Sequence, residues 1–189
     1  MANFEEAFNK VLGIEGGYND RNADRGGATN YGISLATLKR QPDGDLNGDG
    51  VIDKEDVKLI DKAYAMKVAK RGYWDLVWGD RIMDQEVAYI LFDIGYNSGP
   101  ETAIKYVQRI YNAFMNFGKD GKLISNDGIM GPETFRALEW LISKLGHDVL
   151  VKVLKSLQTE KYLRIVEGDK VKMDQVKNLR GWFNRMWRE

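Results

Sequence analysis

Two carboxylates near the start of the chain lie in different sequence environments, one apolar and one polar, which suit the roles of an acid and a base. Glu15 directly follows an apolar helical stripe in the stretch IEGGYNDRNADRGGATNYGI, and Asp24 lies among Asn, Arg and Gly further along it. An apolar setting favours the protonated form of Glu15, whereas a polar setting keeps Asp24 ionised. Hydrolysis of a glycosidic bond uses such a pair, a proton donor and a second carboxylate. The pair therefore predicts glycosidase chemistry.

Neighbouring polar residues could complete this pair. Thr29 and Asn30 follow on the same segment and could hold a water or orient Asp24, while Asp20 is a rival for the second carboxylate. If water attacks in the inverting manner, the two carboxyl groups should lie roughly 6.5–9.5 Å apart. The alternative is that Glu15 is a surface acid at a helix end and that the Asp residues only form turns.

Sugar binding requires aromatic and amide side chains, because sugar rings stack their C–H faces on aromatics and acetamido groups need hydrogen-bond partners. The candidates for substrate contact are Tyr18, Asn30, Tyr31, Tyr96 and Asn97. Asn97 and Ser98 fit the C-terminal turn of a helix as well as a binding site.

Two tryptophans and the single histidine are weaker candidates for substrate binding. Trp74 and Trp78 are one helical turn apart, a spacing more typical of packing than of binding. The single histidine, His147, precedes Asp148 at a helix junction, and we expect no functional role for it.

The stretch DLNGDGVIDKED, residues 45–56, matches the EF-hand calcium loop at the positions that matter. Its predicted ligands are Asp45, Asn47, Asp49, the Val51 carbonyl, Asp53 and Asp56. Gly50 occupies the sharp-turn position, and Ile52 supplies the apolar residue behind the loop. The loop predicts a structural Ca²⁺, since glycoside hydrolysis by paired acids requires no metal.

The twelfth position of that loop departs from the EF-hand pattern. It holds Asp56 in place of Glu, as in the calcium loops of dockerin modules, and the shorter side chain weakens bidentate ligation. The alternative is a turn without metal, in which Asp53 caps the next helix and Asp56 lies in its first turn.

The elements that position these residues are mainly helices. An apolar stripe of Phe4, Ala7, Phe8, Val11 and Leu12 predicts the first helix. Glycines over residues 16–33 predict turns and a short hairpin or loop. Further helices are predicted at 34–40, 53–70, 84–97, 101–117, 132–145, 148–167 and 174–188. The segment VAYILFDIG is apolar on most faces, so its helix should be central, and the fold class is mainly α.

Composition excludes several classes of protein. The 28 basic and 28 acidic residues balance to a net charge of zero, which argues against a general nucleic-acid binder or stable membrane association. With no cysteine and one histidine, a disulfide framework, a cysteine nucleophile and a zinc site of several Cys or His ligands are excluded. The N-terminal MANFEEAFNK has no signal-peptide run, so we expect synthesis in the cytosol.

Several stretches together resemble one known family. EGGYNDRNADRGGATNYGI resembles the catalytic signature of glycoside hydrolase family 108, muramidases found in many phage endolysins. RGYWDLVWGDRI (71–82) and LFDIGYNSGP (91–100) are similar to later blocks of the same family. DGIMGPETFRAL (127–138) and RGWFNRMWRE (180–189) are similar to a helical C-terminal half described as peptidoglycan-binding.

The resemblance implies a reaction and its residues. Glu15 would be the catalytic acid, and the bond hydrolysed would be the β-1,4 bond between N-acetylmuramic acid and N-acetylglucosamine. The order of Glu, Asp and Thr is also similar to that of lysozymes of the phage T4 type, whose second acid and threonine position a water. Four residues lie between Asp24 and Thr29, where that pattern has five.

The resemblance also implies an organisation and a partner. We expect a lysozyme-like helical fold with a catalytic half at 1–97, a calcium-loop insertion at 43–56 and a peptidoglycan-binding-like half at 98–189, packed as one body. The expected protein is a monomeric phage endolysin that reaches bacterial peptidoglycan from the host cytoplasm after membrane passage. The alternatives are a lytic transglycosylase, a non-catalytic peptidoglycan-binding or calcium-dependent module, and a scaffold.

Overall fold

The computed structural model describes residues 1–12, 18, 28–117, 121–167 and 173–187, apart from the side chains of residue 117 and residues 173–178. The described chain is mainly helical, as predicted, with one small antiparallel sheet. The helices are α1 Phe4–Leu12, α2 Leu35–Leu38, α3 Lys54–Leu59, α4 Lys62–Ala69, α5 Gln85–Ser98, α6 Pro100–Phe117, α7 Pro132–Leu145, α8 His147–Glu167 and α9 Met173–Met186. The strands are β1 Thr29–Asn30 and β2 Ile33–Ser34, and a π turn (Lys70–Trp74) and a 3₁₀ turn (Gly79–Arg81) follow α4.

Packing divides the chain into two compact units. The larger unit consists of Met1–Phe4 and Tyr73–Glu189, and the smaller one of Glu5–Gly72. Helix α5 belongs to the larger unit, where it packs against α6 and α8. The predicted catalytic half at 1–97 and peptidoglycan-binding-like half at 98–189 are defined by activity and not by packing. That division stays a prediction.

Helix α5 is the centre of the larger unit, as its apolar sequence predicts. The side chain of Asp84 begins the helix by accepting a 3.0 Å hydrogen bond from the Val87 N–H. The buried residues of the helix are Val87, Ala88, Ile90, Leu91, Phe92, Asp93, Ile94 and Gly95. Burial of these apolar side chains makes α5 a large contributor to the hydrophobic stabilisation of this unit.

An aromatic cluster joins the start of the chain to α5 within the larger unit. The ring of Phe4 lies 5.5 Å from that of Trp74 and 5.8 Å from that of Phe92, in tilted and edge-on geometries. Trp74 is fully buried, and its indole N–H donates to Asp80 Oδ1 at 2.6 Å. The prediction that Trp74 serves packing is thus confirmed.

The smaller unit contains the predicted hairpin. Thr29 pairs with Ser34, and Asn30 pairs with Ile33. The two turn residues both have positive φ, 47° at Tyr31 and 75° at Gly32, which is the pattern of a type I′ turn. Such a turn matches the right-handed twist of its strands and sets this register.

The single helix predicted over 53–70 is wrong, because the structure has two. Helix α3 ends at Leu59, because the next residue, Ile60, has an extended ψ of 117°. Asp61 caps α4 by accepting from the Tyr64 N–H at 2.7 Å. The capping carboxylate favours a new helix start at this position. The last carbonyls of α3 have a partner elsewhere in the smaller unit, the side chain of Asn30.

Helix α7 starts and stops where its sequence predicts. Pro132 is its first residue, and Gly146 ends it with a φ of 75° that a side chain would strain. The loop before the helix is fastened by buried Gln108, which donates to Asp127 Oδ1 at 2.9 Å and accepts from the Gly128 N–H at 2.9 Å. Within the described residues, no helix is long and apolar enough to cross a bilayer.

Candidate active site

The carboxylates predicted for the chemistry, Glu15, Asp20 and Asp24, lie outside the described residues. The elements on either side of them are described. Helix α1 ends at Leu12, with Ala7, Phe8 and Val11 buried, and β1 begins at Thr29. Helix α1 precedes the segment and β1 follows it. Apart from Phe4, both elements belong to the smaller unit.

Asn30 ties the hairpin to α3. Its side-chain amide donates to the carbonyls of Val57 at 3.1 Å, Lys58 at 3.3 Å and Ile60 at 3.0 Å, and the residue is 5% exposed. Carbonyls at a helix C-terminus lack intrahelical donors, so this amide satisfies groups that burial would otherwise penalise. Asn30 therefore has a structural role, and its contact with substrate stays a prediction.

Three more candidates of the smaller unit differ in exposure. Thr29 and Tyr31 are half-buried in the hairpin, and Tyr31 holds a left-handed conformation that is uncommon for an aromatic residue. Tyr18 is exposed, and Lys58 Nζ lies 5.9 Å from the centre of its ring. Both tyrosine rings retain surface on which a sugar could stack.

The two candidates on α5, Tyr96 and Asn97, lie near its end in the larger unit. The Asn97 amide donates to the Asp93 carbonyl at 2.8 Å and to Asp93 Oδ1 at 3.0 Å, and its oxygen accepts from Arg185 of α9. The ring of Tyr96 lies 5.0 Å from that of Tyr73, and burial raises the pKa of its hydroxyl well above the usual value. These contacts position the end of α5, and substrate contact for both residues stays a prediction.

The loop predicted to bind calcium is organised by its own carboxylates. Asp45 accepts from the N–H groups of Gly48 at 2.8 Å and Gly50 at 2.9 Å, one on each oxygen. Asp49 accepts from the Val51 N–H at 2.8 Å. Gly50 has the positive φ, 86°, that the sharp turn requires.

Asp53 and Asp56 form a reciprocal cap at the start of α3. Asp53 accepts from the Glu55 N–H at 2.7 Å, while Asp56 Oδ2 accepts from the Asp53 N–H at 2.8 Å. Asp56 is fully buried, and its Oδ1 accepts from the N–H groups of Leu46 at 2.8 Å and Asn47 at 3.1 Å. Burial alone would raise the pKa of the Asp56 carboxyl, but these N–H donors hold that pKa below its usual value.

These contacts limit how the loop could hold a cation. A carboxylate oxygen has two acceptor positions, so Oδ1 of Asp56 is saturated, whereas the oxygens of Asp45 and Asp49 each keep a position. Bidentate ligation by Asp56 would require it to release backbone N–H groups. Among the residues that the structure describes, no group of three or more His, Cys, Asp or Glu side chains is arranged to hold a metal ion.

Two arginines for which the sequence predicted no role make specific contacts in the structure. Arg185 bonds Asn97 at the end of α5, and Arg81 lies over the ring of Trp78, with its Cζ 4.1 Å from the ring centre. The spacing of Trp78 and Arg81, three residues apart, is the one signal that could have indicated their contact. Arg185 and Asn97 are too far apart in sequence for any local pattern to connect them.

Family models cover both parts of the chain. The model of "Glycosyl hydrolase 108" matches residues 8–99, a region that takes in Glu15, Asp24, the hairpin, the 45–56 loop and α5. The chain carries a glycosyl hydrolase 108 domain. A second model, "Predicted Peptidoglycan domain", matches residues 102–187. This family 108 protein is therefore a glycoside hydrolase that acts on peptidoglycan.

A solved structure is similar over nearly the whole length of this family 108 chain. SagA of Brucella abortus is 27% identical, with a TM-score of 0.69 over 97% of this chain and 92% of that one. The agreement confirms a mainly α, lysozyme-like fold for the hydrolase. No curated protein matches the sequence.

Proposed function

We propose that this hydrolase is an N-acetylmuramidase that cleaves the β-1,4 bond between N-acetylmuramic acid and N-acetylglucosamine. The observation that carries the proposal is the family 108 match over residues 8–99, which includes the Glu15 stretch. Glu15 acts as general acid, Asp24 as second carboxylate, and Thr29 positions a water.

The proposed chemistry divides between the two acids. Glu15 donates its proton to the oxygen of the leaving sugar, which requires a carboxyl group that stays protonated in an apolar setting. Asp24 remains ionised and assists a water that attacks the anomeric carbon, and the proton of that water leaves through the carboxylate. Thr29 begins β1, and the next residue, Asn30, bonds that strand to α3, which supports a defined backbone position for Thr29 within the smaller unit.

The proposed substrate contacts follow the chemistry of amino sugars. Tyr18 and Tyr31 have ring surface available for the apolar faces of sugars, while Asn30, Tyr96 and Asn97 offer polar groups for acetamido or hydroxyl contacts. The amide nitrogens of Asn30 and Asn97 already donate to protein carbonyls. The Asn97 oxygen also accepts from Arg185, so a substrate N–H would use its second acceptor position.

The decisive experiment is mass spectrometry of fragments released from purified peptidoglycan by the wild-type protein and by Glu15→Gln. We expect reducing muramic-acid ends from the wild type and near-complete loss of fragments from a folded Glu15→Gln, because glutamine cannot supply the proton. Full release by Glu15→Gln would rule out the proposed mechanism. Anhydro ends would indicate a lytic transglycosylase, and no fragments from either protein would indicate the binding class.

Three further variants test whether the loss of activity is specific to the proposed catalytic carboxylates. Glu5→Gln removes an exposed acid from α1, close to Glu15 in sequence, and should leave release unchanged. Asp24→Asn should be crippled, whereas Asp20→Asn should be affected only modestly. The reverse order would make Asp20 the second carboxylate.

We propose in addition that the protein is a phage endolysin that works as a monomer, made in host cytoplasm and reaching the wall after membrane passage. Support comes from the resemblance of EGGYNDRNADRGGATNYGI to endolysin muramidases. Expression in a host with and without a pore-forming partner would test the route. We expect lysis only when the pore-forming partner is expressed. To test the monomer, gel filtration should give the mass of one chain.

We further propose that the 45–56 loop binds a structural Ca²⁺. The oxygen-bearing residues at alternate positions and the curled backbone around Gly50 support it. Against it stands the occupied carboxylate of Asp56, which already caps α3. Calcium would have to be held mainly by Asp45, Asn47, Asp49 and the Val51 carbonyl, with Asp53 bound directly or through water.

A further inference from the structure

A cavity of about 400 Å³ opens in the larger unit, between the segment 81–84 and helix α7. Its volume is within the range of about 300–1,000 Å³ that small-ligand sites occupy. Phe135 and Leu138 of α7 form an apolar floor, and Met83, 76% exposed, lies at its edge. Tyr96 and Asn97, the substrate candidates of the same unit, do not line it.

One wall of the cavity carries a positioned cation. The Cζ of Arg81 lies 4.1 Å from the ring centre of Trp78 and 5.0 Å from that of Phe135. Stacking on two rings orients the guanidinium while leaving its N–H edge available for bidentate contact with a carboxylate. No carboxylate of the described residues forms an ion pair with Arg81.

The turn that carries Arg81 is packed closely against the core. Trp78 has a φ of 57°, in the left-handed region, directly before the 3₁₀ turn. A Cβ on Gly79 would lie 2.3 Å from the indole of buried Trp74, so the backbone there is packed against the core. Because strained conformations persist only where the surroundings determine them, this turn holds Arg81 in one place.

The opposite wall carries an acid and a hydroxyl. Glu139 and Ser143 are exposed and lie four residues apart on α7, so both side chains project from the same face of the helix. Asp84 also lines the cavity, but it caps α5 and lies 3.4 Å from His147 Nδ1. A ligand of this cavity should therefore carry a carboxylate for Arg81, an amine for Glu139 and small apolar groups for the floor.

We propose that this cavity binds the peptide stem of peptidoglycan. Stems are short peptides that carry free carboxylates, alanine methyl groups and, where they are not cross-linked, an amine on the third residue. Glycan strands whose muramic acids bear stems offer no such charges, so Arg81 and Glu139 find complementary groups only on the stem. The inference rests on the proposed action at glycan strands, and it gives the same hydrolase a second contact with its substrate.

The probe is a soluble stem tetrapeptide, Ala-γ-D-Glu-diaminopimelate-D-Ala, titrated calorimetrically into the full chain. Arg81→Gln should lower affinity roughly tenfold or more, because a charge-assisted bidentate contact is lost. Arg136→Gln is the matched control, since Arg136 is exposed on α7 and does not line the cavity. It should bind as the wild type does.

A second variant keeps the test valid if Arg81→Gln does not fold. Glu139→Gln should weaken binding of the stem whose diaminopimelate amine is free and leave unchanged the binding of a stem acetylated at that amine. The proposal is overturned if the wild type binds no stem, if Arg81→Gln binds as tightly as Arg136→Gln, or if Arg81→Gln instead loses affinity for strands stripped of stems. None of these outcomes alters the release of muramic-acid ends, so failure here differs from failure of the proposed muramidase.

Discussion

Asn30 and Tyr31 are neighbours in one hairpin, and their environments suggest different roles. Asn30 is buried and donates to three carbonyls around the end of α3, which is a structural role. Tyr31 occupies the first position of a type I′ turn, where Asn is a favoured residue. An aromatic residue at that position strains the backbone, and such strain is common at functional sites.

Tyr31→Asn separates strain from sugar binding. Asparagine suits the turn, so we expect stability equal to the wild type or higher by about 1 kcal/mol, since left-handed strain costs about 1–3 kcal/mol. If the ring stacks on a sugar, fragment release should fall roughly tenfold, which corresponds to a loss of about 1.4 kcal/mol. Thermal melts and release assays measure the two effects.

Tyr31→Phe is the control for that substitution, because it keeps the ring and the strain. It should retain most of the release activity. If Tyr31→Asn is fully active, the ring does not contact substrate, and the tyrosine has another reason for its place in the turn.

At the scale of elements, the 45–56 loop and α3 form one continuous hydrogen-bonded structure. Asp45 organises the turn, and Asp56 closes it onto the helix. The free energy of holding several carboxylates close together falls when a cation neutralises them, so a bound ion would stabilise the loop.

A chelator should therefore lower the melting temperature of the wild type, and added Ca²⁺ should restore it more effectively than Mg²⁺. Asp45→Asn is the informative variant, since its one oxygen can still accept from one of the two backbone N–H groups, while the charge at the first ligand position is lost. The difference between melts with and without chelator should vanish in this variant, and also in Asp45→Ala. An unchanged wild-type melt would leave the loop as a capped turn without metal.

At the scale of the whole molecule, the chain passes from the larger unit to the smaller one after Phe4 and returns at Tyr73. The larger unit has its own core around α5, and it includes the whole region matched by the peptidoglycan domain model. Its packing should not depend on the segment that carries Glu15.

A fragment of residues 73–189 should accordingly fold as a helical body and sediment with purified peptidoglycan, but it should release no fragments. It lacks Phe4, whose ring packs on Trp74 and Phe92, so its melting temperature should be lower than that of the full chain. Circular dichroism and sedimentation with and without peptidoglycan measure both properties. A folded fragment that stays in the supernatant would contradict wall binding by this region.

The sequence alone determined the features that depend on neighbouring residues. The apolar run of α5, Pro132 at the start of α7, Gly146 at its end and the hairpin turn were all predictable, because helix caps and turn conformations are set within a few residues. The motif around Glu15 likewise indicated a family 108 hydrolase.

The features that join residues distant in sequence depend on the tertiary packing. The break between α3 and α4 coincides with an amide from Asn30, 30 residues before Ile60, and the predicted single helix missed it. Arg81 faces α7 only because the chain folds back and places Phe135 beside Trp78, with ring centres 5.6 Å apart. Sequence periodicity describes which face of an element is apolar, whereas the partner of that face depends on the packing of the whole chain.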